Sequence, residues 1–186
     1  MDEINARLVI TDLKKSFNKK EVLKGTTFTF EQGKIYGLLG RNGAGKTTFF
    51  NCLNEDIPCN GGSYKIEEKG VLRDLTSEDM GYVLSTPAVP EFLTAREFIK
   101  FFLDINKDKI SAPKTIDEYL ASMFIEPEDR DKLLKDFSHG MKNKMQMLVN
   151  FIVGPRVLLL DEPLTSFDVV VADEMKQLLR QIKKEH

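Results

Sequence analysis

Residues 40–47, Gly-Arg-Asn-Gly-Ala-Gly-Lys-Thr, constrain the fold of this chain more than any other segment. They fit the pattern G-x-x-x-x-G-K-[ST] at every fixed position. Glycines allow the backbone to curl so that successive N–H groups point inward and hold anionic oxygens, and the N-terminus of a following helix adds the positive end of its dipole. The pattern therefore predicts a phosphate-binding loop between a strand and a helix.

The sequence on either side of this loop has the character that such a loop requires. Residues 34–39 predict a short buried strand, and a helix is expected from Thr47 to about Asn54. Lys46 would supply a point charge for β- and γ-phosphates, and the Thr47 hydroxyl would ligate Mg²⁺. A glycine-rich turn that meets the pattern by chance is the alternative, and the flanking elements count against it.

Two carboxylates follow an apolar run late in the chain. Val157–Leu160 is apolar throughout, as a parallel strand covered on both faces requires, and Asp161 and Glu162 come directly after it. Carboxylates near a core are costly unless a cation or a water network uses them. In a phosphate-binding protein, Asp161 is suited to holding Mg²⁺ through water, and Glu162 to polarising an attacking water as a general base. A solvated strand end is the alternative when this pair is taken alone.

The remaining pattern predicts an α/β core with helices inserted between its halves. Extended segments are expected around residues 8–10, 27–30 and 63–68. Thr94 and Thr115 each begin a capping box, the first followed by one apolar helix face. That face comprises Phe98, Phe101, Phe102 and Ile105, and is interpreted as core rather than as a docking surface.

Further helices complete the pattern. Pro127 suits the first turn of a short helix, and Ser138 is a plausible N-cap for an amphipathic helix that Gly154 and Pro155 end. A last helix begins near Asp168, with apolar residues on one face.

The composition excludes several other kinds of protein. Lys plus Arg number 27 and Asp plus Glu 29, for a formal charge of −2, which argues against a strongly basic nucleic-acid-binding protein. Hydrophobic residues make up 41%, enough for a core, but the longest apolar runs are far too short to span a bilayer. Cys52 and Cys59 can build no disulfide framework and lack metal-ligand spacing. A reducing cytosolic setting without a secretory signal is expected.

Taken in chain order, these motifs resemble those of the ATP-binding subunit of the ATP-binding-cassette (ABC) superfamily, over nearly the whole sequence. Residues 137–141, Phe-Ser-His-Gly-Met, resemble the signature segment L-S-G-G-Q. Ser138 and Gly140 are kept, whereas His139 and Met141 replace a glycine and the glutamine. The variant is similar to that of subunits from bacterial exporters.

Three further positions carry the resemblance. Ser85 stands where the family has the Q-loop glutamine, Asp168 lies in a segment that resembles the D-loop, and Phe17 matches the aromatic position on which adenine usually stacks. Serine is too short to span the gap that glutamine spans unless a water intervenes. This departure concerns the coupling to a membrane partner and not the binding of nucleotide.

The resemblance implies an α/β fold: a P-loop NTPase of ABC type with an N-terminal antiparallel β subdomain, a mostly parallel core sheet and an inserted helical subdomain. Residues 1–186 would form a single ATP-binding domain. Its β and core lobe would comprise about residues 1–86 and 137–186, and its helical subdomain about residues 87–136.

The resemblance also implies the site, with ATP and Mg²⁺ as cofactors. Lys46 and Glu162 would be catalytic, and Thr47 and Asp161 would hold the metal. The nucleotide-binding residues would be Phe17, Gly40, Arg41, Asn42, Gly43, Ala44, Gly45, Lys46, Thr47 and Thr48. In a head-to-tail dimer of cassettes, the signature residues Ser138, His139, Gly140 and Met141 would act in trans.

The implied function is ATP binding and hydrolysis in an ABC membrane transporter of exporter type. The partners would be a second cassette, identical or different, and a separate transmembrane permease that holds the chain on the cytoplasmic face of the membrane. No nucleic acid is expected. A soluble ABC ATPase acting on nucleic acid or the ribosome, or a regulatory nucleotide-binding protein with weak turnover, remain alternatives. The sequence does not identify a transported substrate.

The end of the chain departs from the family pattern. The family has one more strand after the helix that follows Asp168, and its switch-loop histidine lies just beyond that strand. The sequence stops at His186, which would be a solvated chain end. A fragment of a longer protein and a truncated product are both open as expectations.

Overall fold

The computed structural model of the chain describes residues 6–110, 113–165 and 167–185. Two predictions lie outside these ranges: that His186 is solvated, and that residues 1–5 do not begin a secretory signal. The chain divides into two units, one comprising the chain up to Met80 together with the segment from Leu178 onward, and the other Gly81–Gln177. The predicted helical subdomain of about residues 87–136 falls wholly within the second unit, and its bounds stay a prediction.

The first unit is built on an antiparallel sheet. Its strands are β1 (Ala6–Phe17), β2 (Lys20–Glu31), β3 (Gly61–Glu68) and β4 (Val71–Asp74), in the order β2-β1-β3-β4. Side chains of β1 and β3 that alternate along the strands, including Leu8, Ile10 and Ile66, form the buried face. The antiparallel β subdomain expected from the sequence is confirmed.

Helix α1 (Lys46–Leu53) follows the glycine-rich loop and buries Phe49, Cys52 and Leu53. The buried strand predicted just before the loop is wrong. Residues 34–39 have no regular structure and are exposed, Leu39 by 94%. A strand is buried only when neighbours pair with its backbone and cover its faces, and no strand pairs with this segment in the described part of the chain.

The second unit contains a two-stranded parallel sheet formed by β5 (Met80–Val83) and β6 (Val157–Leu160). The Asp161 amide extends this pairing by donating to the Val83 carbonyl oxygen at 2.9 Å. Of the β6 residues only Leu159 is buried, so the predicted burial of the whole run is wrong. The reason is that β6 has a strand neighbour on one side only among the described residues.

Two helices of the second unit begin at the predicted capping boxes. In α2 (Ala95–Ile105) and α3 (Ile116–Ser122), Thr94 and Thr115 accept from the backbone amides of Glu97 and Glu118, whose carboxylates accept in return. Pro127–Asp129 and Leu134–Asp136 form single 3₁₀ turns, the first with proline in its first turn as predicted.

The apolar face predicted for α2 is only partly buried. Ala95, Phe98 and Ile99 are buried, whereas Phe101 and Ile105 are exposed by 55% and 61%. The side of α2 that packs into the core therefore bears Phe98 and Ile99. Ile99 was not part of the predicted apolar face. The assignment of Phe101 to the core is wrong, because the described elements leave more than half of this residue uncovered.

Helices α4 (His139–Val153) and α5 (Val169–Glu185) complete the chain. As predicted, Ser138 is the N-cap of α4, and Gly154 ends it with a left-handed backbone, φ 61°. The predicted amphipathic pattern is wrong for the middle of α4, because all of residues 143–148 are buried, including an asparagine, a lysine and a glutamine. No helix in the described residues has the length and apolar character needed to cross a bilayer.

Close packing of α4 against the sheet depends on Gly81 in β5. A Cβ added there would lie 2.4 Å from Asn150 Oδ1 and 2.6 Å from Pro155 Cγ. No side chain fits at such distances, so glycine lets the strand that leads to Ser85 approach the end of α4.

Candidate nucleotide-binding and catalytic loops

Residues 40–47 form a tight loop that ends directly in α1. The Ala44 amide donates to the Arg41 carbonyl oxygen at 3.1 Å, and Gly43 and Gly45 have φ of 78° and 98°. Such positive φ values favour glycine. At Gly45 space also demands it, since an added Cβ would lie 2.8 Å from Val22 Cγ1 on β2. Gly43 and Gly45 are therefore required by the conformation of this loop.

The N-terminus of α1 is open to an anion. Gly45 is its N-cap and provides no side-chain hydrogen bond, and the first turn contains no acidic residue. The N-termini of α2 and α3, in contrast, are occupied by threonine and glutamate. Because the first-turn amides of a helix need acceptors, an uncapped start with positive dipole suits phosphate oxygens. The loop thus fits the polyphosphate of a nucleotide.

The side chain of Lys46, at the end of the loop, reaches back to the residues that begin the loop. Its Nζ donates to the carbonyl oxygens of Gly40 at 2.9 Å and Arg41 at 3.3 Å. These are neutral acceptors, so the ammonium lies beside the loop without a carboxylate partner in these bonds. Thr47, like Arg41 and Asn42, is exposed, whereas Thr48 is half-buried. A charge held at this position can meet an anion bound by the loop.

Phe17 ends β1 with a ring that is 46% exposed. The Lys15 ammonium lies 4.9 Å from the ring centroid and also donates to the Pro58 carbonyl oxygen at 2.6 Å. An accessible aromatic ring suits stacking by a planar base. The sequence predicted Phe17 but not the cation–π contact, which places a positive charge against the ring.

The carboxylate pair of the second unit follows β6. Asp161 is 5% exposed. Glu162 is exposed and has φ of 51°, a left-handed backbone that is unfavourable for glutamate. The amide and the hydroxyl of Thr165 both donate to the Glu162 carbonyl oxygen, at 3.2 and 3.0 Å. Glu162 is therefore presented at the surface by a constrained turn.

A buried amide of α4 holds the same turn, and the sequence did not predict it. Asn143 Nδ2 donates to the Pro163 carbonyl oxygen at 2.8 Å. The sequence carried no signal for it, because Asn143 stands between Lys142 and Lys144 in a stretch that has the composition of an exposed surface.

The signature residues surround the N-terminus of α4. Ser138 Oγ accepts from the Met141 amide at 3.2 Å, and the first turn contains no acidic residue. Ser138 and His139 are exposed, whereas Gly140 and Met141 are half-buried. The exposed serine and the positive end of the helix dipole can therefore meet an anion presented from outside this unit.

Ser85 and Asp168 are both exposed. Ser85 lies two residues beyond β5, in a bend. Asp168 Oδ1 accepts from the amides of Val170 at 2.9 Å and Val171 at 3.0 Å, so this carboxylate caps α5. Its observed contacts are those of an N-cap, a role that the D-loop resemblance did not predict.

The predicted site residues are thus distributed over two units. Phe17 and residues 40–48 belong to the first, and Ser85, residues 138–141, Asp161, Glu162 and Asp168 to the second. Among the described residues, no three His, Cys, Asp or Glu side chains cluster as a metal site. Hydroxyl and carboxylate oxygens such as those of Thr47 and Asp161 are donors that suit Mg²⁺, which commonly takes few protein ligands together with phosphate and water.

Comparison with known proteins decides the family. Residues 23–165 match the ABC transporter family. The chain belongs to this family. The match confirms the resemblance inferred from the sequence.

Relatives of this ABC chain differ in what they transport. It is 32% identical over 182 residues to the bacitracin transport ATP-binding protein BcrA of Bacillus licheniformis, covering 94% of this chain and 57% of that protein. It is 31% identical over 187 residues to the phosphate import ATP-binding protein PstB 2 of Lactobacillus johnsonii, covering 92% of this chain and 74% of that protein. The chain thus spans little more than half the length of BcrA.

A solved relative confirms the fold. The dimeric ATP-binding cassette MJ0796, in a post-hydrolysis state with ADP and Pi, superposes with a TM-score of 0.77 at 18% identity. The superposition covers 96% of this chain and 83% of that one. The α/β class with an antiparallel subdomain is therefore as the sequence predicted.

Proposed function

We propose that this chain is the ATP-binding and ATP-hydrolysing subunit of an ABC membrane transporter of exporter type. The observation that carries the proposal is the loop of residues 40–47. It places a lysine beside a helix N-terminus that has neither a side-chain cap nor an acidic residue in its first turn. The family match supports the same conclusion.

In the first unit, the proposal assigns the triphosphate to the loop amides, the N-terminus of α1 and Lys46, and the adenine to Phe17. The loop binds the anion through backbone groups, so its affinity depends on conformation more than on side-chain identity at Arg41, Asn42 and Ala44. The Thr47 hydroxyl would ligate Mg²⁺, and Asp161 of the second unit is likewise proposed as a Mg²⁺ ligand. The ion, when bound, would neutralise the charge that develops on the phosphate oxygens.

In the second unit, the proposal assigns proton abstraction from the attacking water to Glu162. Its carboxylate is exposed, so water can reach it, and its backbone is fixed by the Thr165 hydrogen bonds. A general base must be held within hydrogen-bond reach of the proton it takes, which a constrained turn provides better than a mobile loop.

The proposed partners are a second cassette and a membrane permease. The exposed Ser138 at the start of α4 would meet the γ-phosphate held by a second copy or a related chain, and the solved cassette MJ0796 is described as dimeric. Exposed aromatic residues between β5 and α4, Phe92, Phe101 and Phe124, would face the permease. The chain would then lie on the cytoplasmic face of the membrane.

The direction of transport rests on the signature variant. The Ser-His-Gly-Met form is similar to that of exporters, while PstB 2 is named for phosphate import. ATP-dependent movement of substrate out of vesicles or into inverted vesicles, made with the cognate permease, would decide between them. Uptake from outside by right-side-out vesicles would overturn the exporter assignment.

A regulatory nucleotide-binding protein with weak turnover is the second candidate. Ser85 favours it, since this exposed serine occupies the place of the Q-loop glutamine.

Glu162→Gln separates the two candidates. In a working ATPase this variant should retain ATP binding, lose phosphate release and accumulate an ATP-bound dimer in gel filtration. Glu128→Gln, an exposed glutamate of a 3₁₀ turn, should leave both unchanged. Phosphate release that is negligible in the wild type and unaffected by Glu162→Gln would support the regulatory candidate.

The nucleotide site itself is tested by Lys46→Ala. Isothermal titration should show Mg²⁺-dependent ATP binding by the wild type, weakened roughly 10- to 100-fold in the variant, because hydrogen bonds to charged groups contribute about 1.5–3 kcal/mol. Lys65→Ala is the matched control, since Lys65 pairs with Asp74 at 3.1 Å on the sheet of the same unit. Equal affinities of the two variants, or no Mg²⁺-dependent affinity for ATP at all, would overturn the proposal.

A further inference from the structure

Asn143 is an unusual side chain for its place in the fold. It lies in the fully buried middle of α4 and is 1% exposed. Its Nδ2 donates to the Pro163 carbonyl oxygen at 2.8 Å. Because a carbonyl oxygen can only accept, the amide nitrogen must face the turn after β6, and the amide oxygen must point elsewhere.

The amide oxygen of Asn143 does not stabilise the core. Within the residues that the structure describes, Asn143 Oδ1 is buried and has no hydrogen-bond partner. A buried polar atom without a partner weakens a protein, and an apolar side chain of similar shape, such as leucine, would pack as well or better. The contribution that distinguishes Asn143 from leucine is therefore its bond to Pro163.

The turn that this bond holds carries Glu162. Three anchors fix it: the Asp161 amide on Val83, the Thr165 amide and hydroxyl on the Glu162 carbonyl oxygen, and Asn143 on Pro163. The first binds the turn to the sheet and the second is internal to it. The third comes from α4, and it acts on the residue next to Glu162.

Glu162 needs such support. Its φ of 51° lies in the left-handed region, which is unfavourable for a residue with a side chain. Such a backbone persists only where surrounding contacts hold it in place. Holding the next carbonyl group limits the rotation by which the backbone of Glu162 could relax. The direction of the exposed carboxylate is thereby tied to a rigid helix.

We infer that Asn143 is a positioning residue for hydrolysis: its hydrogen bond to Pro163 holds Glu162 in the orientation in which that carboxylate acts on water. The inference rests on the proposed function, because it takes Glu162 as the general base. Asn143 itself touches neither nucleotide nor water in this role. It acts through the turn.

The experiment compares Asn143→Leu with Gln146→Leu in the full chain. Gln146 is the matched control because it is a buried amide one turn further along α4, also with an unpartnered oxygen, and no hydrogen bond to the turn is seen among the described residues. Asn143→Leu should lower kcat for ATP by about tenfold or more while KM and ATP affinity stay within about twofold, since small misplacement of a catalytic group can cost roughly 100-fold. Gln146→Leu should leave kcat nearly unchanged, and both variants should unfold at temperatures close to that of the wild type. Asn143→Gln, which keeps the donor on a longer side chain, should recover part of kcat.

Hydrogen–deuterium exchange provides a readout that does not need turnover. Amides of residues 164 and 165 should exchange faster in Asn143→Leu than in the wild type or in Gln146→Leu, because the turn loses an anchor. Equal kcat in the two leucine variants, or a loss of kcat with unchanged exchange in the turn, would overturn the inference. Failure of the wild type to bind ATP would instead contradict the proposed function, and the exchange comparison would still decide whether Asn143 anchors the turn.

Discussion

Arg73 and Asp79 form a bidentate ion pair in the first unit. Nη1 and Nη2 of the arginine each donate to one carboxylate oxygen at 2.7 Å. The amide and hydroxyl of Thr76 add two bonds of 2.9 Å to the same carboxylate, and Arg73 Nε reaches Glu68 at 3.1 Å. Asp79 is 4% exposed, so the pair ties the end of β4 to the turn that leads into β5.

This pair should make stability depend on acid pH. The Arg73 hydrogen bonds, together with those of Thr76, lower the pKa of the Asp79 carboxyl far below its ordinary value of about 3.9. The unfolded chain therefore takes up the proton first, and the stabilisation, complete above about pH 4, is lost as the pH falls toward the folded-state pKa. Urea unfolding between pH 6 and 3 should show a steeper decline for the wild type than for Asp79→Asn.

Asp74→Asn provides the control for that series. Asp74 is an exposed carboxylate at the end of β4, and within the described residues it forms an ion pair with Lys65 at 3.1 Å. Its replacement should leave the slope of unfolding free energy against pH close to that of the wild type. Parallel curves for the wild type and Asp79→Asn would contradict the assignment of the acid sensitivity to this pair.

Gly43→Ala should weaken nucleotide binding more than its cost in stability explains. At φ 78° an alanine is strained by roughly 1–2 kcal/mol, and relaxation toward negative φ would turn loop amides away from the phosphates. Gly33→Ala carries nearly the same strain, at φ 71°, and like Gly43 has no atom within 4 Å of an added Cβ. The temperature of thermal unfolding should fall similarly in both variants. ATP affinity, measured by titration, should fall only in Gly43→Ala. A loss of affinity in both would show that general destabilisation is the cause.

The two cysteines should differ in reactivity. Burial, followed by contact with the Cys59 thiol, raises the pKa of Cys52 to about 12, so at pH 8 it has almost no thiolate, the reactive form. Cys59 is half-buried and accessible. An aromatic disulfide reagent at pH 8 should therefore label Cys59 in the folded protein and Cys52 only after unfolding. The variant Cys59→Ser should show almost no labelling while folded; rapid labelling of that variant would contradict the burial of Cys52.

Asp168→Ala should destabilise α5 by about 0.5–2 kcal/mol, the usual cost of removing an N-cap, because Val170 and Val171 lose their acceptor. Asp168→Asn retains a capping oxygen and should keep most of the stability in urea unfolding. If Asp168→Asn also retains ATP hydrolysis, capping accounts for the residue; if hydrolysis falls while stability does not, Asp168 acts beyond the cap. Equal stability of Asp168→Ala and the wild type would exclude the capping role.

Local sequence signals predicted much of the secondary structure. The capping boxes at Thr94 and Thr115, the N-cap Ser138 and the ending glycine Gly154 all act through hydrogen bonds or backbone preferences within a few residues. Such interactions are nearly the same in any context, so the helix limits follow from the chain itself. The glycine-rich loop and its uncapped helix belong to this group as well.

Burial could not be predicted in the same way. Residues 34–39 and 157–160 have the composition of buried strands, and Phe101 has that of a core residue, but each is buried only if another element lies against it. Which elements do so depends on the arrangement of the whole chain. The contact of Asn143 with Pro163 has the same origin, since it joins residues 20 positions apart.

The phosphate-binding loop and the start and end of most helices followed from the sequence, because these features depend on short-range backbone geometry. The tertiary structure alone decided which apolar surfaces are covered, where Asp79 finds Arg73, and how a helix amide comes to hold the turn of Glu162. Those relationships arise when distant segments pack together, and pattern along a chain does not specify them.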